Sequence, residues 1–232
     1  PHGFGIPLKN PPVACNVDYM EQRNVIVFGA HPDDIEIGMG GTIKKLTDHK
    51  RPVVACIATV PNMYKRRKQE VKCAANILGV TTIKHLNMRS DHFGFNRETV
   101  SAIDRVIQQY NPDAVFTHWT GDSHQDHINL TNSVLAAARH NHFNVFMYEQ
   151  AIPGGITHAS FRPQLYIDIS PYIEAKVESI LAHKSQSEKY GAGWMNGVRG
   201  RAMHRGFQIK VSYAEAFEVV KIKEHLNLFK TA

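Results

Sequence analysis

The chain has 232 residues and a mass of 26.1 kDa, enough for one sizeable α/β domain or at most two small ones. Apolar residues make up 43% and charged residues 21%, values that are typical of a globular protein and exclude a disordered one. The sequence shows no run of eighteen apolar residues and no apolar leader, so we expect neither a transmembrane helix nor a secretion signal. The net charge of +6 permits an anionic substrate but does not favour nucleic acid.

The start of the chain and its cysteines give two further expectations. Because the numbering begins at Pro1, we interpret residues 1–19 as a native extension or a cloning remnant, followed by a single domain over 20–232. Cys15, Cys56 and Cys73 show no paired spacing. We expect Cys56 and Cys73 to be small buried residues of a cytoplasmic protein, where thiols stay reduced.

Short apolar runs alternate with helical patterns along most of the chain. A helical stripe ends at Gly79, and a second stops at Asn111. A third begins at Ser170, and we expect its buried stripe to extend to Leu181. This alternation predicts a single doubly wound, Rossmann-like α/β domain, with a mostly parallel sheet and helices on both faces. The predicted strands are 25–28, 53–58, 83–86, 114–117 and 145–148.

Two later segments lack a clear period. Residues 153–164 show no helical or strand pattern, and residues 191–206 contain five glycines together with several arginines. We interpret both as loops. The second is either a solvated connection or a mobile lid whose arginines meet a phosphate or carboxylate of the substrate.

The first cluster of ionisable residues follows the first predicted strand, as His31, Asp33 and Asp34. Ligands of such sheets bind at the carboxyl ends of strands, where the strand order reverses. Adjacent carboxylates repel unless a cation neutralises them, and imidazole with carboxylate is a ligand pair suited to zinc. The alternative is a capped turn, in which an aspartate caps the next helix and His31 is a surface residue.

The second cluster, residues 122–127, follows the fourth predicted strand. His124 and His127 are three residues apart and lie on one side of a helical turn. Alone, they could be solvated histidines of a polar loop. Because both clusters fall at the strand ends expected to flank the switch point, we favour one metal site with acid and base groups. His118 and Trp119, at the end of the fourth strand, could line the pocket, but we favour a packing role for them.

The two clusters resemble the A-H-P-D-D-x-E and H-P-D-H signatures of the PIG-L/LmbE family of zinc-dependent N-acetylglucosamine deacetylases. Residues 38–42, 67–80 and 213–217 resemble further segments of that family, so the resemblance spans roughly residues 24–220. In this chain Gln125 replaces the usual proline, and Ile35 is inserted before the acidic residue of the first signature.

The resemblance implies a zinc ion, or another divalent transition metal, bound by His31, Asp34 and His127. It also implies that Arg67 and Asp91 contact the sugar. The substrate is then an acetylated amino sugar, either a small molecule or linked to a lipid or a nucleotide. Nucleic acid is not an expected partner, and a homo-oligomer stays open.

The catalytic roles are implied in the same way. Asp33 matches the general base of the family, and His124 matches its general acid, which as an imidazolium stabilises the oxyanion. Asp126 matches the carboxylate that orients His124. The implied reaction removes an acetyl group from the amino sugar and gives acetate and the free amine.

Three other functions remain as alternatives. A zinc hydrolase acting on a different amide would use the same residues, and a sugar-binding module that had lost catalysis would lack one of them. A dinucleotide-binding domain would place G-x-G-x-x-G in the turn after the first strand, but that turn contains His31-Pro32-Asp33-Asp34 instead.

Overall fold

The computed structural model describes residues 23–150, 153–157, 159–223 and 228–229, so the segment 1–19 lies outside the described residues. The strands within these ranges are β1 (Val25–Gly29), β2 (Val53–Thr59), β3 (Thr82–Met88), β4 (Ala114–His118), β5 (Asn144–Tyr148), β6 (Leu165–Asp168) and β7 (Ala214–Lys221). The helices there are α1 (Asp34–Asp48), α2 (Tyr64–Leu78), α3 (Arg97–Tyr110), α4 (Gln125–Ala138), α5 (Ile173–Leu181), α6 (Lys184–Tyr190) and α7 (Ala192–Gln208).

The strands form one sheet in the order β3-β2-β1-β4-β5-β7-β6. Neighbours among β1 to β5 are parallel, whereas β7 is antiparallel to both β5 and β6. The predicted α/β class and the mostly parallel sheet are therefore confirmed. The chain moves outward from β1 in one direction through β2 and in the other through β4, which places the switch point between β1 and β4.

Each face of the sheet has its own apolar core. Val25 and Val27 of β1 point to the face covered by α1 and α2, and Ile26 and Phe28 point to the face covered by α3 and α4. Alternate residues of a strand point to opposite faces, so a central strand that is buried on both faces is apolar throughout. Among the described residues, no helix combines the length and apolarity needed to cross a membrane.

Residues 191–206, which we interpreted as a loop, form most of α7. The prediction failed because the glycines disfavour a helix by only about 1 kcal/mol each, which tertiary packing outweighs. Trp194, Val198 and Ala202 recur every four residues and are buried. Gly193, Gly197 and Gly200 lie on the exposed side of the helix, where an added Cβ would meet nothing within 4 Å.

Smaller differences occur at three other positions. Ser170 begins a 3-10 turn that leads into α5. Leu181 was expected in the buried stripe of that helix but is 44% exposed at its end. Cys73 lies on the exposed side of α2, contrary to expectation, whereas Cys56 is buried as expected. The described residues of 153–164 contain no helix or strand, as expected.

Helix α1 is kinked at Met39, whose φ of −150° and ψ of 29° are not helical. A kink leaves backbone groups without their partners in the helix. The Nζ atom of Lys176 donates to the carbonyls of Glu36 and Ile37, at 3.1 and 2.7 Å. A side chain of α5 thus provides the hydrogen-bond donor for two carbonyls in the first half of α1.

A carboxylate from β7 caps the start of the second half of α1. Glu215 accepts hydrogen bonds from the backbone N–H groups of Gly41 and Thr42, at 3.1 and 2.7 Å. It also lies 2.5 Å from Nζ of Lys176, and both side chains are buried. This buried pair therefore fixes the kink, and with it the end of α1 that carries the first ionisable cluster.

Candidate active site

The two clusters predicted from the sequence meet at the carboxyl ends of β1 and β4. These strands are paired in parallel, from Val25 opposite Ala114 to Val27 opposite Phe116. The turn after β1 leads into α1 at Asp34, and the loop after β4 leads into α4 at Gln125. Both loops therefore open on the same crevice at the switch point, as the sequence predicts.

Asp34 is the centre of the cluster and is almost completely buried. Its carboxylate lies 3.5 Å from Nδ1 of His31, 3.3 Å from Nε2 of His118 and 3.3 Å from Nε2 of His127. The backbone N–H of His31 also donates to Asp34, at 2.6 Å. One carboxylate thus faces three imidazole rings.

Two groups of side chains in this cluster could hold a metal ion, and they share His127. One contains His31 and His124, and the other contains Asp34 and His118; within each group the ligand atoms lie within 4.8 Å of one another. The predicted set of His31, Asp34 and His127 draws on both groups. The described residues therefore include a His/Asp group able to bind a metal.

His118 has another partner for the nitrogen that faces Asp34. Its Nε2 accepts a hydrogen bond from the backbone N–H of Ala30, at 3.0 Å. Burial and the neighbouring His127 lower the pKa of His118 to about 4, which keeps the ring neutral. Because its lone pair is already used by the backbone, His118 is a poorer ligand than His31 or His127.

The charges of the cluster favour a cation beside Asp34. Burial alone would lower the pKa of His31 and of His127, but nearby carboxylates outweigh this effect. Asp126 and Asp34 raise the pKa of His31 to about 9. Asp34 and Asp122 likewise raise the pKa of His127 to about 10. A site that stabilises positive charge and offers imidazole nitrogens with a carboxylate oxygen fits a divalent metal such as zinc.

The carboxylate of Asp126 does not contact His124, which the resemblance had implied as its partner. It lies 2.9 Å from Nε2 of His31 instead. Asp126 holds His124 through its backbone, whose N–H donates to Nδ1 of that ring at 3.1 Å. Spacing along the chain favoured a local pair, but the turn after β1 brings His31 closer.

His124 is exposed at the start of α4, and its ring lies 4.8 Å from that of His31 and 4.6 Å from that of His127. Burial, His127 and His31 lower its pKa below the usual range. Because Nδ1 accepts an N–H from the backbone, the proton of the neutral ring is on Nε2. The structure therefore favours a neutral donor over the predicted imidazolium.

Asp33 is buried next to Asp34 in a left-handed backbone conformation, with φ of 97°. Burial and repulsion from Asp34 raise its pKa to about 7. The Arg67 guanidinium lies 3.4 Å from its carboxylate and donates to the carbonyl of Pro32 at 2.7 Å. A carboxyl group with a pKa near neutrality is well suited to general base catalysis.

The two predicted sugar contacts differ in their surroundings. Arg67 is buried beneath the turn after β1, whereas Asp91 is exposed and forms an ion pair with Arg89 after β3. No contact between described residues joins Asp91 to the histidine cluster. Asp91 follows β3, and Arg67 lies in α2 after β2, so both come after the carboxyl ends of parallel strands.

Comparison with known proteins agrees with this geometry. Residues 26–138, which include both clusters, match the PIG-L family described as GlcNAc-PI de-N-acetylase. This match supports a PIG-L family domain over that segment. Diacetylchitobiose deacetylase of Thermococcus kodakarensis is 29% identical over 229 aligned residues, which cover 88% of this chain and 86% of that protein.

Two solved structures share the architecture. N,N'-diacetylchitobiose deacetylase from Pyrococcus horikoshii, in complex with its inhibitor MPG, is 27% identical with a TM-score of 0.68, covering 85% of this chain and 84% of that one. The conserved protein TT1542 from Thermus thermophilus is 23% identical with a TM-score of 0.76, covering 87% and 96%, and this likeness shows the fold alone.

The PIG-L match ends before two residues that complete the site. Gln150, after β5, lies 3.3 Å from both Asp34 and His118. His183, before α6, is fully buried 3.4 Å from Glu36. No role was predicted for Gln150 or His183, and for His118 packing was favoured over lining the pocket. The available signal was for His118, a polar residue at the carboxyl end of the apolar strand β4.

Proposed function

We propose that this PIG-L domain protein is a zinc-dependent N-deacetylase of N-acetylglucosamine-type sugars, which releases acetate and the free amine. One observation carries the proposal: His31, Asp34 and His127 converge at the crevice, with the buried Asp33 directly beside them. The substrate class rests on the relatives, since both diacetylchitobiose deacetylases described above act on an acetylated amino sugar.

His31, Asp34 and His127 would hold the metal, because one nitrogen of each histidine faces Asp34, at 3.5 and 3.3 Å. Nε2 of His118 also faces Asp34 but already accepts the N–H of Ala30. When bound there, zinc supplies a Lewis acid that polarises an amide carbonyl and makes water more acidic. Carboxylates on the other ring nitrogens of both histidines fix the rings, as is usual around zinc ligands.

Asp33 would be the general base. It accepts a proton from water as the water oxygen bonds to the amide carbon, and its pKa of about 7 allows this near neutrality. The C–N bond then breaks and the amine nitrogen takes up a proton. Protonated Asp33 can return its proton to that nitrogen, so one carboxyl group serves both steps.

His124 would stabilise the negative charge that develops on the carbonyl oxygen. Its Nε2–H is free to donate, because the Asp126 backbone N–H occupies Nδ1. The imidazolium that the resemblance implies would place a second hydrogen against that backbone N–H. We therefore assign His124 the oxyanion role and transfer the acid role to Asp33.

Arg67 and Asp91 are proposed sugar contacts of different strength. The exposed Asp91 is accessible to a hydroxyl group of the substrate, whereas the buried Arg67 mainly supports Asp33. We assign Asp91 to sugar binding and treat contact with Arg67 as secondary.

Acetate release from a panel of amides tests the function. The panel contains N-acetylglucosamine, diacetylchitobiose, a nucleotide-linked and a lipid-linked N-acetylglucosamine, and a simple acetylated amine without a sugar. We expect acetate only from the sugars, and only with metal present. A hydrolase of a different amide is the second candidate, because its residues would be the same; turnover of the simple amide alone would favour it.

A further inference from the structure

Asp122, in the loop after β4, contacts two parts of the α4 histidine motif with its two carboxylate oxygens. Oδ1 accepts a hydrogen bond from the backbone N–H of His124 at 2.8 Å, and Oδ2 lies 2.9 Å from Nδ1 of His127. The side chain of Asp122 is only 7% exposed, so water competes little for either contact. One carboxylate therefore joins the loop to the first turn of α4.

His127 presents its other nitrogen to the proposed metal site. Its Nε2 lies 3.3 Å from Asp34, and the ring is almost completely buried. With Asp122 at Nδ1, the hydrogen of the neutral ring is placed on Nδ1 and the lone pair on Nε2. This is the tautomer and orientation that a metal ligand needs, and the nearby negative charge makes Nε2 a stronger donor.

We propose that Asp122 is a positioning residue for the metal ligand His127, an inference that rests on the proposed function. Asp122 does not face Asp34 and acts through the imidazole ring. The pairing also differs from that of Asp126 with His31, because Asp122 fixes backbone and ring together. Its loss would therefore weaken metal binding, with any change in turnover following from that.

A simpler role for Asp122 is to stabilise the start of α4, since an aspartate before a helix often accepts a backbone N–H. Two variants separate the roles. Asp122→Asn keeps the shape of the side chain but removes its charge. Asp122→Ser keeps a short acceptor for the His124 N–H but is too short to hold the His127 ring.

The experiment measures zinc dissociation constants by competition with a chromophoric chelator, together with thermal unfolding of each metal-free protein. We expect both variants to bind zinc about 10 to 100 times more weakly than the wild type. Asp48→Asn is the matched control, because Asp48 forms an exposed pair with Lys44 at the other end of α1. Its zinc affinity should equal that of the wild type.

Zinc affinities of both Asp122 variants within about twofold of the wild type would overturn the positioning role, since loss of such partners usually costs tenfold or more. Lower unfolding temperatures with unchanged zinc affinity would overturn it as well and leave Asp122 a helix-capping residue. A wild-type protein that binds no zinc would give a different pattern, because it overturns the metal site of the proposed function and the inference with it.

Discussion

Arg67 supports Asp33 from inside the protein. Its Nη2 donates to the carbonyl of Pro32 at 2.7 Å and lies 3.4 Å from the Asp33 carboxylate. Asp33 needs such support, because a left-handed conformation costs a residue with a side chain roughly 1–3 kcal/mol. Strain of this kind at a proposed catalytic residue is consistent with a backbone selected for the direction of its side chain.

Replacing Asp33 by Asn tests its role as the base. Asn tolerates left-handed backbone and can still accept a hydrogen bond from Arg67, but it cannot accept a proton. We expect kcat to fall about a hundredfold or more while the zinc content stays at the wild-type level. Acetate release gives kcat, and atomic absorption gives the zinc content. Loss of zinc from Asp33→Asn would instead make Asp33 a ligand.

Replacing Arg67 by Lys separates support of Asp33 from sugar binding. Lys keeps the charge but lacks the planar group that spans Pro32 and Asp33. If Arg67 positions the base, kcat should fall about tenfold and KM should change less than about twofold. The reverse result, a higher KM with an unchanged kcat, would make Arg67 a sugar contact, as the resemblance implied.

A pair of histidine variants tests which rings bind the metal. His127→Ala removes a ring whose Nε2 faces Asp34, so we expect zinc content and activity to be lost together. His118→Gln is the matched comparison, because its amide oxygen can still accept the Ala30 N–H. It should keep most of its zinc. Zinc retained in His127→Ala and lost in His118→Gln would assign the metal to the alternative ring.

The meeting of the two ionisable clusters could be predicted from the sequence, because the parallel sheet determines where strand ends meet. His31 and Asp34 follow β1, and His127 follows β4, so their convergence needed no knowledge of side-chain packing. The partner of Asp126 could not be predicted in this way. His31 is 95 residues away from it in sequence, and only the packed loops show that this ring lies closer than His124 does.

Other features depend on tertiary packing that leaves little trace in the sequence. The glycines of α7 indicated a loop, yet burial of Trp194 and Val198 holds it as a helix. No sequence pattern indicated a buried position for Lys176. Its position at the kink of α1 is set by Glu215, which comes from a strand that the strand pattern did not predict.

The pH dependence of His124→Ala, which removes the ring, tests its assignment as a neutral donor. Burial, His127 and His31 lower the pKa of His124, so its ring is neutral at alkaline pH. It therefore has no proton of an imidazolium to lose there. We expect kcat/KM to fall about a hundredfold, as for other oxyanion donors, with the alkaline limb at the wild-type pH. If the alkaline limb disappears in the variant, His124 is the titrating group and acts as the imidazolium acid that the resemblance implied.

Replacing Lys176 by Met tests the buried pair at the kink of α1. Lys176→Met keeps the length of the side chain but leaves Glu215 charged and buried without its cation. Breaking such a pair from one side usually costs about 3–5 kcal/mol, and we expect this loss in the free energy of unfolding, measured with urea on the metal-free protein. Lys44→Met, in the exposed pair with Asp48, is the control and should cost less than about 1 kcal/mol. If the two variants lose the same free energy of unfolding, the buried pair contributes no more than an exposed surface pair. Lys176 would then not stabilise the kink.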